Sequence, residues 1–239
     1  MNLNVRTAFC LVLVCVLQCV NATAAASPSS WPDTYLSRLQ ALALLQTLNA
    51  ELLSHDSATL TLEHWCDAHR LAFPARIVAV RMTDIDKVAT LELRRDLGVS
   101  ATEPLRYRRV KLVCGVEVLS EADNWYVPSR LPAAMNRLLD SSDTPFGKVV
   151  QSLHFQRHTL AATLLWRPLP EGWEMNLADR HDEAAAASGT RILDVPAHLL
   201  EHRAVLSLRD GTPFSEVVET YTDRVVALPV EQPGPSKNR

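Results

Sequence analysis

The stretch from Leu105 to Val127 constrains the fold more than any other. LRYRRVKLVC alternates polar and apolar residues, Glu117 to Val127 alternates again, and Gly115 stands between them. Alternation puts successive side chains on opposite faces, so each run reads as a half-buried strand, and the short break makes the pair a β-hairpin. Such a pair is antiparallel, because a turn this short cannot carry the chain back to a parallel start. A second hairpin is signalled near the C-terminus, where Ala204 to Leu208 and Pro213 to Asp223 flank Arg209-Asp210-Gly211. RIVAVRM (Arg76 to Met82) reads as a further strand, His154 to Trp166 leans to β, and Arg191 to Asp194 reads as a short strand.

Helical spacing appears elsewhere. Tyr35, Leu39, Leu42, Leu45, Leu48 and Leu52 recur at steps of three and four, predicting a helix over 33–54 with its apolar face against a sheet. Ser57 can cap a second helix over 58–69, with Leu62 and Trp65-Cys66 facing inward. Residues 131–139 form a short helix, and Thr144-Pro145 begins another with proline in its first turn. A turn of helix is expected over 196–200. Residues 84–99 stay undecided between strand and helix, and 168–189 read as a loop with a helical piece. Hairpin-linked strands with helices gathered at the start and middle define an α+β chain with an antiparallel sheet.

The N-terminus reads as an export signal. Arg6 precedes the apolar run AFCLVLVCVLQCV, and Asn21 to Ala26 supplies small residues suited to cleavage. The rivals are an uncleaved anchor and a lipoprotein at Cys19, but the run is shorter than a membrane span, and Gln18 poorly suits a lipid-attachment site. Removing 1–26 takes away one charged residue, leaving 23 basic and 27 acidic residues and a net charge of −4. That acidity gives nucleic acid no footprint. Two of the five cysteines, Cys66 and Cys114, remain, either as one bridge or as two buried thiols. The expected organisation is a signal peptide over 1–26, one domain over 27–228 and a disordered tail over 229–239. The mature protein is expected to be a soluble monomer, periplasmic or secreted.

No common catalytic or phosphate-binding motif is present. His64 and His69 are five residues apart on a helix and share no face, so a metal site has no support. His154, Arg157 and His158 read as surface residues. Arg106 and Arg108 share one strand face, and Arg109 shares the other with Tyr107 and Lys111. Leu105 and Val113 have the parity of Arg109, which directs that arginine inward, where it needs a carboxylate or an anionic ligand. The alternative is a solvated strand face. Glu219 shares a face with Val217 and Tyr221. It is either a carboxyl with a raised pKa, able to donate a proton, or the partner of an arginine such as Arg109 or Arg203.

Four stretches give the chain a family likeness: ELLSHDSATLTLEHW, RRVKLVCGVEVLSEADNWYVP, DTPFGKVV and DGTPFSEVVETY. In order and spacing it resembles the chorismate pyruvate-lyases and the related ligand-sensing UTRA domains of bacterial regulators. The resemblance implies a six-stranded antiparallel sheet with helices on one side and a ligand buried under two helical flaps. It implies release of pyruvate from chorismate, leaving 4-hydroxybenzoate, with no metal or organic cofactor. Arg109 falls at the family's carboxylate-binding arginine, the Phe146 N–H at the flap position on the same carboxylate, and Glu219 at the acidic residue near the ring hydroxyl. Asn124 replaces a second arginine, removing one positive charge from a site built for a dianion, and residues are added around 168–189. Chorismate is also cytosolic, whereas the leader implies export. Two functions follow: a lyase acting on chorismate or a related cyclic carboxylate, and a non-catalytic binder holding a small aromatic carboxylate in the same pocket.

Overall fold

The computed structural model describes residues 31–175 and 191–227. The leader, the tail and most of the 168–189 loop lie outside the described residues. Helix α1 (Tyr35–Ser54) starts at Thr34, whose side chain accepts from the Ser37 N–H, and α2 (Ala58–Ala68) is capped in the same way by Ser57. The undecided stretch resolves into α3 (Leu91–Asp96), capped by Thr90. The strands are β1 (Ile77–Met82), β2 (Arg106–Cys114), β3 (Glu117–Tyr126), β4 (Gln156–Leu164), β5 (His198–Ser207) and β6 (Pro213–Thr222). Helices α4 (Ala133–Ser141) and α5 (Phe146–Val149) separate β3 from β4.

All six strands form one antiparallel sheet in the order β1-β2-β3-β6-β5-β4. Two readings of the sequence are corrected. The turn of helix expected over 196–200 is instead the start of β5, because Leu199 and Leu200 gain full burial by extending the strand beside β6. The short strand expected at 191–194 reduces to one bridge between Ile192 and Pro32.

Helices α1 and α2 cover one face of the sheet. Leu45, Leu48, Leu52, Leu62 and Trp65 meet Ala79, Val110, Leu112, Ala122, Val217 and Tyr221 there, in the main core. Cys66 on α2 and Cys114 on β2 are joined as a disulfide inside this core. A second core lies under α4 and α5, where Leu139, Phe146 and Val149 pack on Tyr126, Leu206 and Phe214. Among the described helices, the short α3 lies on the opposite face, setting Leu93 and Leu97 against Trp125 and Val127. Among the described residues, no helix is long and apolar enough to cross a membrane.

Candidate functional site

Strand register decides which side chains can meet. Arg108 lies opposite Asn124, Asn124 opposite Val217, Ala122 opposite Glu219, and Glu219 opposite His202. Directly paired residues of an antiparallel sheet share a face, so Arg108, Asn124, Glu219 and His202 all point towards α1 and α2. Arg109 points the other way. It lies beside Asp123 in the register and bonds to Glu121 (Nη2–Oε2, 3.1 Å) and Asp123 on the α3 side of the sheet. The structure therefore brings together three of the four residues singled out from sequence, Asn124, Phe146 and Glu219, and leaves Arg109 outside. Arg108 stands in its place.

A chamber forms where the sheet, the start of α2 and the single turn of α5 converge. Its walls include Arg108, Asn124, Phe146, Arg157 and Glu219, and its free space is about 40 Å³. Ligand pockets for drug-sized molecules run to roughly 300–1,000 Å³, so the chamber has room for a carboxylate-sized group rather than a whole ring system. Gly147 permits the closure. A Cβ there would stand 3.0 Å from Ser57 Oγ and 3.1 Å from Thr59 Oγ1. Lys148 on α5 also bonds to Glu63 on α2 (Nζ–Oε2, 2.5 Å).

Arg108 is 6% exposed and has no carboxylate partner among the described residues. Its Nη2 donates to the carbonyls of Ser142 and Thr144, both at 3.0 Å, which ties β2 to the α4–α5 link. Its Nε and Nη1 are buried without a partner. Burial, and then the neighbouring Arg81, push this guanidinium down to about 10, so it remains charged at neutral pH.

Arg157 is not the surface residue expected from sequence. Its side chain is 4% exposed, and its Nη2 donates to Glu219 Oε2 at 2.6 Å. Burial disfavours the Arg157 charge, but Glu219 and Tyr221 outweigh it and hold the group above its ordinary value. Tyr221 donates its hydroxyl to the same Glu219 oxygen (3.1 Å), and burial followed by Glu219 drives that phenol well upward. Glu219 is thus an ion-paired carboxylate whose partner is neither Arg109 nor Arg203. Arg203 lies on the opposite face with Glu92, Asp96 and Glu216.

His202 extends the polar group. It is fully buried, its Nε2 meets Asn49 Oδ1 at 2.8 Å, and its Nδ1 has no partner. Burial pushes it down to about 4. Asn124 Oδ1 accepts from Ser215 Oγ (2.9 Å), and Phe146 opens α5 with its ring between Tyr126 and Phe214. Among the described residues, no cluster of three or more His, Cys, Asp or Glu side chains is placed to hold a metal ion.

Signals for the missed residues were present in the sequence. Arg108 has the parity of Val110, Leu112 and Cys114, three apolar residues against the two that favoured Arg109. Arg157 follows Phe155 by one strand period, and His202 falls between Leu200 and Ala204 at the same spacing.

Fold and site define a class: an α+β protein with an arginine-walled chamber closed between an antiparallel sheet and a short helical flap. Over 204 residues the chain is 54% identical to the uncharacterized protein y4mC of Sinorhizobium fredii (strain NBRC 101917 / NGR234), covering 85% of this chain and 84% of that protein. The chain belongs to the y4mC family. No family model matches it. Among solved structures, PhnF from Mycobacterium smegmatis aligns with a TM-score of 0.44 at 12% identity, over 76% of this chain and 70% of that one. Its effector domain aligns with a TM-score of 0.43 at 13% identity, over 70% and 88%. The possible transcriptional regulator YydK from Bacillus subtilis aligns with a TM-score of 0.38 at 14% identity, over 65% of this chain and 61% of the YydK chain.

Proposed function

We propose that the protein is a binder of a small carboxylate, which it takes as a monoanion into the chamber. The observation that carries this reading is Arg108, whose Nε and Nη1 are buried without a partner beside free space of about 40 Å³. A buried donor left unpaired costs about 1–3 kcal/mol, and a carboxylate accepts such donors in charge-assisted bonds. Among the described residues of the chamber, Arg157 and Glu219 neutralise each other, which leaves Arg108 as its buried unpaired cation and the exposed Asp56 as its other charge. The Phe146 N–H and the Asn124 amide are the further donors assigned to the ligand. A ring-sized acid such as 4-hydroxybenzoate needs the α4–α5 flap to move. Arg108 links binding to that motion because its Nη2 already holds the flap at Ser142 and Thr144.

A second reading keeps the enzyme, and the observation favouring it is that Arg108 and Glu219 wall one chamber. In it Arg108 holds a carboxylate while Glu219 handles the proton as pyruvate leaves chorismate. The ion pair on Glu219 and the single unpaired cation both favour the binder. Neither reading calls for a metal or organic cofactor. Export to the periplasm or beyond is also proposed, supported by the N-terminal apolar run and by the Cys66–Cys114 bridge, since disulfides persist in oxidising compartments.

The test is a thermal-shift and calorimetric titration of the protein with 4-hydroxybenzoate and benzoate, alongside a pyruvate assay with chorismate. The binder reading expects a raised unfolding temperature in wild type, loss of the shift in Arg108→Met, and no pyruvate. A shift that persists in Arg108→Met overturns the chamber. Pyruvate release that disappears in Glu219→Gln establishes the lyase instead.

A further inference from the structure

A larger cavity lies beside the chamber, at the open end of β2. Strand β1 pairs only with Arg109 to Cys114, so Arg106 to Arg108 run past its end without a strand on that side. The groove left there measures about 570 Å³, within the range of small-molecule sites. Its walls carry six cationic side chains against two carboxylates, Asp86 and Asp140, in a chain whose net charge is −3.

The pairing of those cations separates them into two sets. Arg106 is bonded to Asp140, and Lys87 and Arg109 share Asp123. Arg81, Arg94 and Arg108 have no carboxylate partner among the described residues. Arg81 donates to the Asp140 carbonyl, Arg94 to those of Ser100 and Glu103, and Arg108 to those of Ser142 and Thr144. A carbonyl satisfies a donor without cancelling its charge. Three guanidinium groups therefore stand without an ion-pair partner around one cavity, against one unpaired carboxylate, Asp86, and Arg81 stands close enough to Arg108 to disfavour its charged form. Arg108, which the groove shares with the chamber, is more than nine-tenths buried with two donors unpaired. Tyr107 and Trp125, with ring centroids 5.1 Å apart, add an aromatic wall.

We propose that this groove is a second anion-binding site, whose ligand is a small molecule bearing at least two phosphate or carboxylate groups. The site goes beyond the monoanion chamber and does not depend on it, because Arg81, Arg94, Tyr107 and Trp125 have no part in the chamber. Arg108 alone borders both. Two anionic groups can engage Arg81 and Arg94, the unpaired guanidinium groups that the groove does not share with the chamber, whereas a single carboxylate would leave one of them unmatched.

The experiment is calorimetric titration of the whole protein with inorganic pyrophosphate and, separately, citrate at low ionic strength. Arg81→Gln and Arg94→Gln are each expected to weaken binding about tenfold, the effect of losing one charge-assisted bond. Lys148→Gln, outside the groove, should leave it unchanged. In the unaltered protein the Trp125 indole N–H resonance should shift on addition of the bound probe, which needs no variant to fold. Binding of pyrophosphate alone marks the ligand as a phosphate ester, and binding of citrate alone marks it as a polycarboxylate. Absence of binding by both, an equal loss in Lys148→Gln, or an unmoved Trp125 resonance overturns the proposal. Failure of benzoate to bind the chamber would leave each of these results standing.

Discussion

His202 ties the stability of the protein to pH in a way that can be worked out from its surroundings. Its ring is fully buried on β5, with Asn49 on one nitrogen, Glu219 directly across the strand pair, and the Tyr221 ring edge-on at 5.6 Å. Burial disfavours the charged ring, outweighing the pull of Glu219, and Arg157 adds repulsion, so the folded imidazole is pushed down to about 4 from 6.5. Between those values the unfolded chain binds the extra proton and the folded chain does not. The stabilisation is therefore fully present above about pH 6.5 and is lost as pH falls towards 4. At about 1.4 kcal/mol per pH unit, moving from pH 7 to pH 5 removes about 2 kcal/mol through this side chain. Urea unfolding at a series of pH values measures the loss in wild type and in His202→Gln, where carboxylates and exposed histidines contribute equally and cancel. The variant should be less stable at pH 7, and its disadvantage should shrink by about 2 kcal/mol by pH 5. A difference that stays constant with pH, or a His202 ring resonance titrating near 6.5, refutes the reasoning.

Two further outcomes follow from the core. The Cys66–Cys114 bridge closes a sequence separation of 48, so replacing both cysteines with alanine should lower the unfolding free energy by about 4 kcal/mol in urea titrations. An unchanged midpoint would contradict a covalent pair. Arg157→Met strands Glu219 in the interior and should cost about 3–5 kcal/mol, with most of the loss recovered when Glu219→Leu is added. A double variant no more stable than the single one would show that Arg157 is held by something other than this ion pair.

Most of the sheet was legible because its signals are local. The alternation around Gly115 and the Asp-Gly turn each specify a hairpin, and both are present as β2–β3 and β5–β6. The helix spacing in α1 and the serine cap of α2 are equally local. The start of β5 was not legible, because Pro196 and the Leu199-Leu200 pair suit a helical turn until β6 is known to lie alongside. The site required one more step, the choice of face, and a one-residue error there moves a side chain to the opposite side of the sheet. Arg108 and Arg109 are adjacent, chemically identical and both flanked by apolar residues of matching parity. What separates them is that Val110 and Leu112 face the long helices, whereas Tyr107 and Lys111 face α3 and the acidic row on β3. Arg157 stayed hidden because its partner lies 62 positions away, on the opposite side of β5 in the sheet.

Asn124 gives the placement of Arg157 its functional weight. The resemblance sets an arginine at that position on β3, where it would stand opposite Arg108 and beside Val217. In this chain the second guanidinium enters instead from β4, an edge strand, and arrives already bound to Glu219. The two arrangements hold the same number of arginines, but they are not electrically equivalent. An arginine at 124 would raise the inner wall by one full charge, whereas Arg157 contributes an ion pair whose charge is spent on its partner. A dianion such as chorismate would therefore face one free guanidinium, and a second buried carboxylate without a cation is among the more expensive groups a protein interior can hold. A monoanion meets that guanidinium and leaves nothing over. The uncompensated charge that would suit a more highly charged ligand lies on the other side of Arg108, around Arg81 and Arg94. The two proposed sites would thus divide anion binding by charge, one negative group inside the chamber and two or more in the groove.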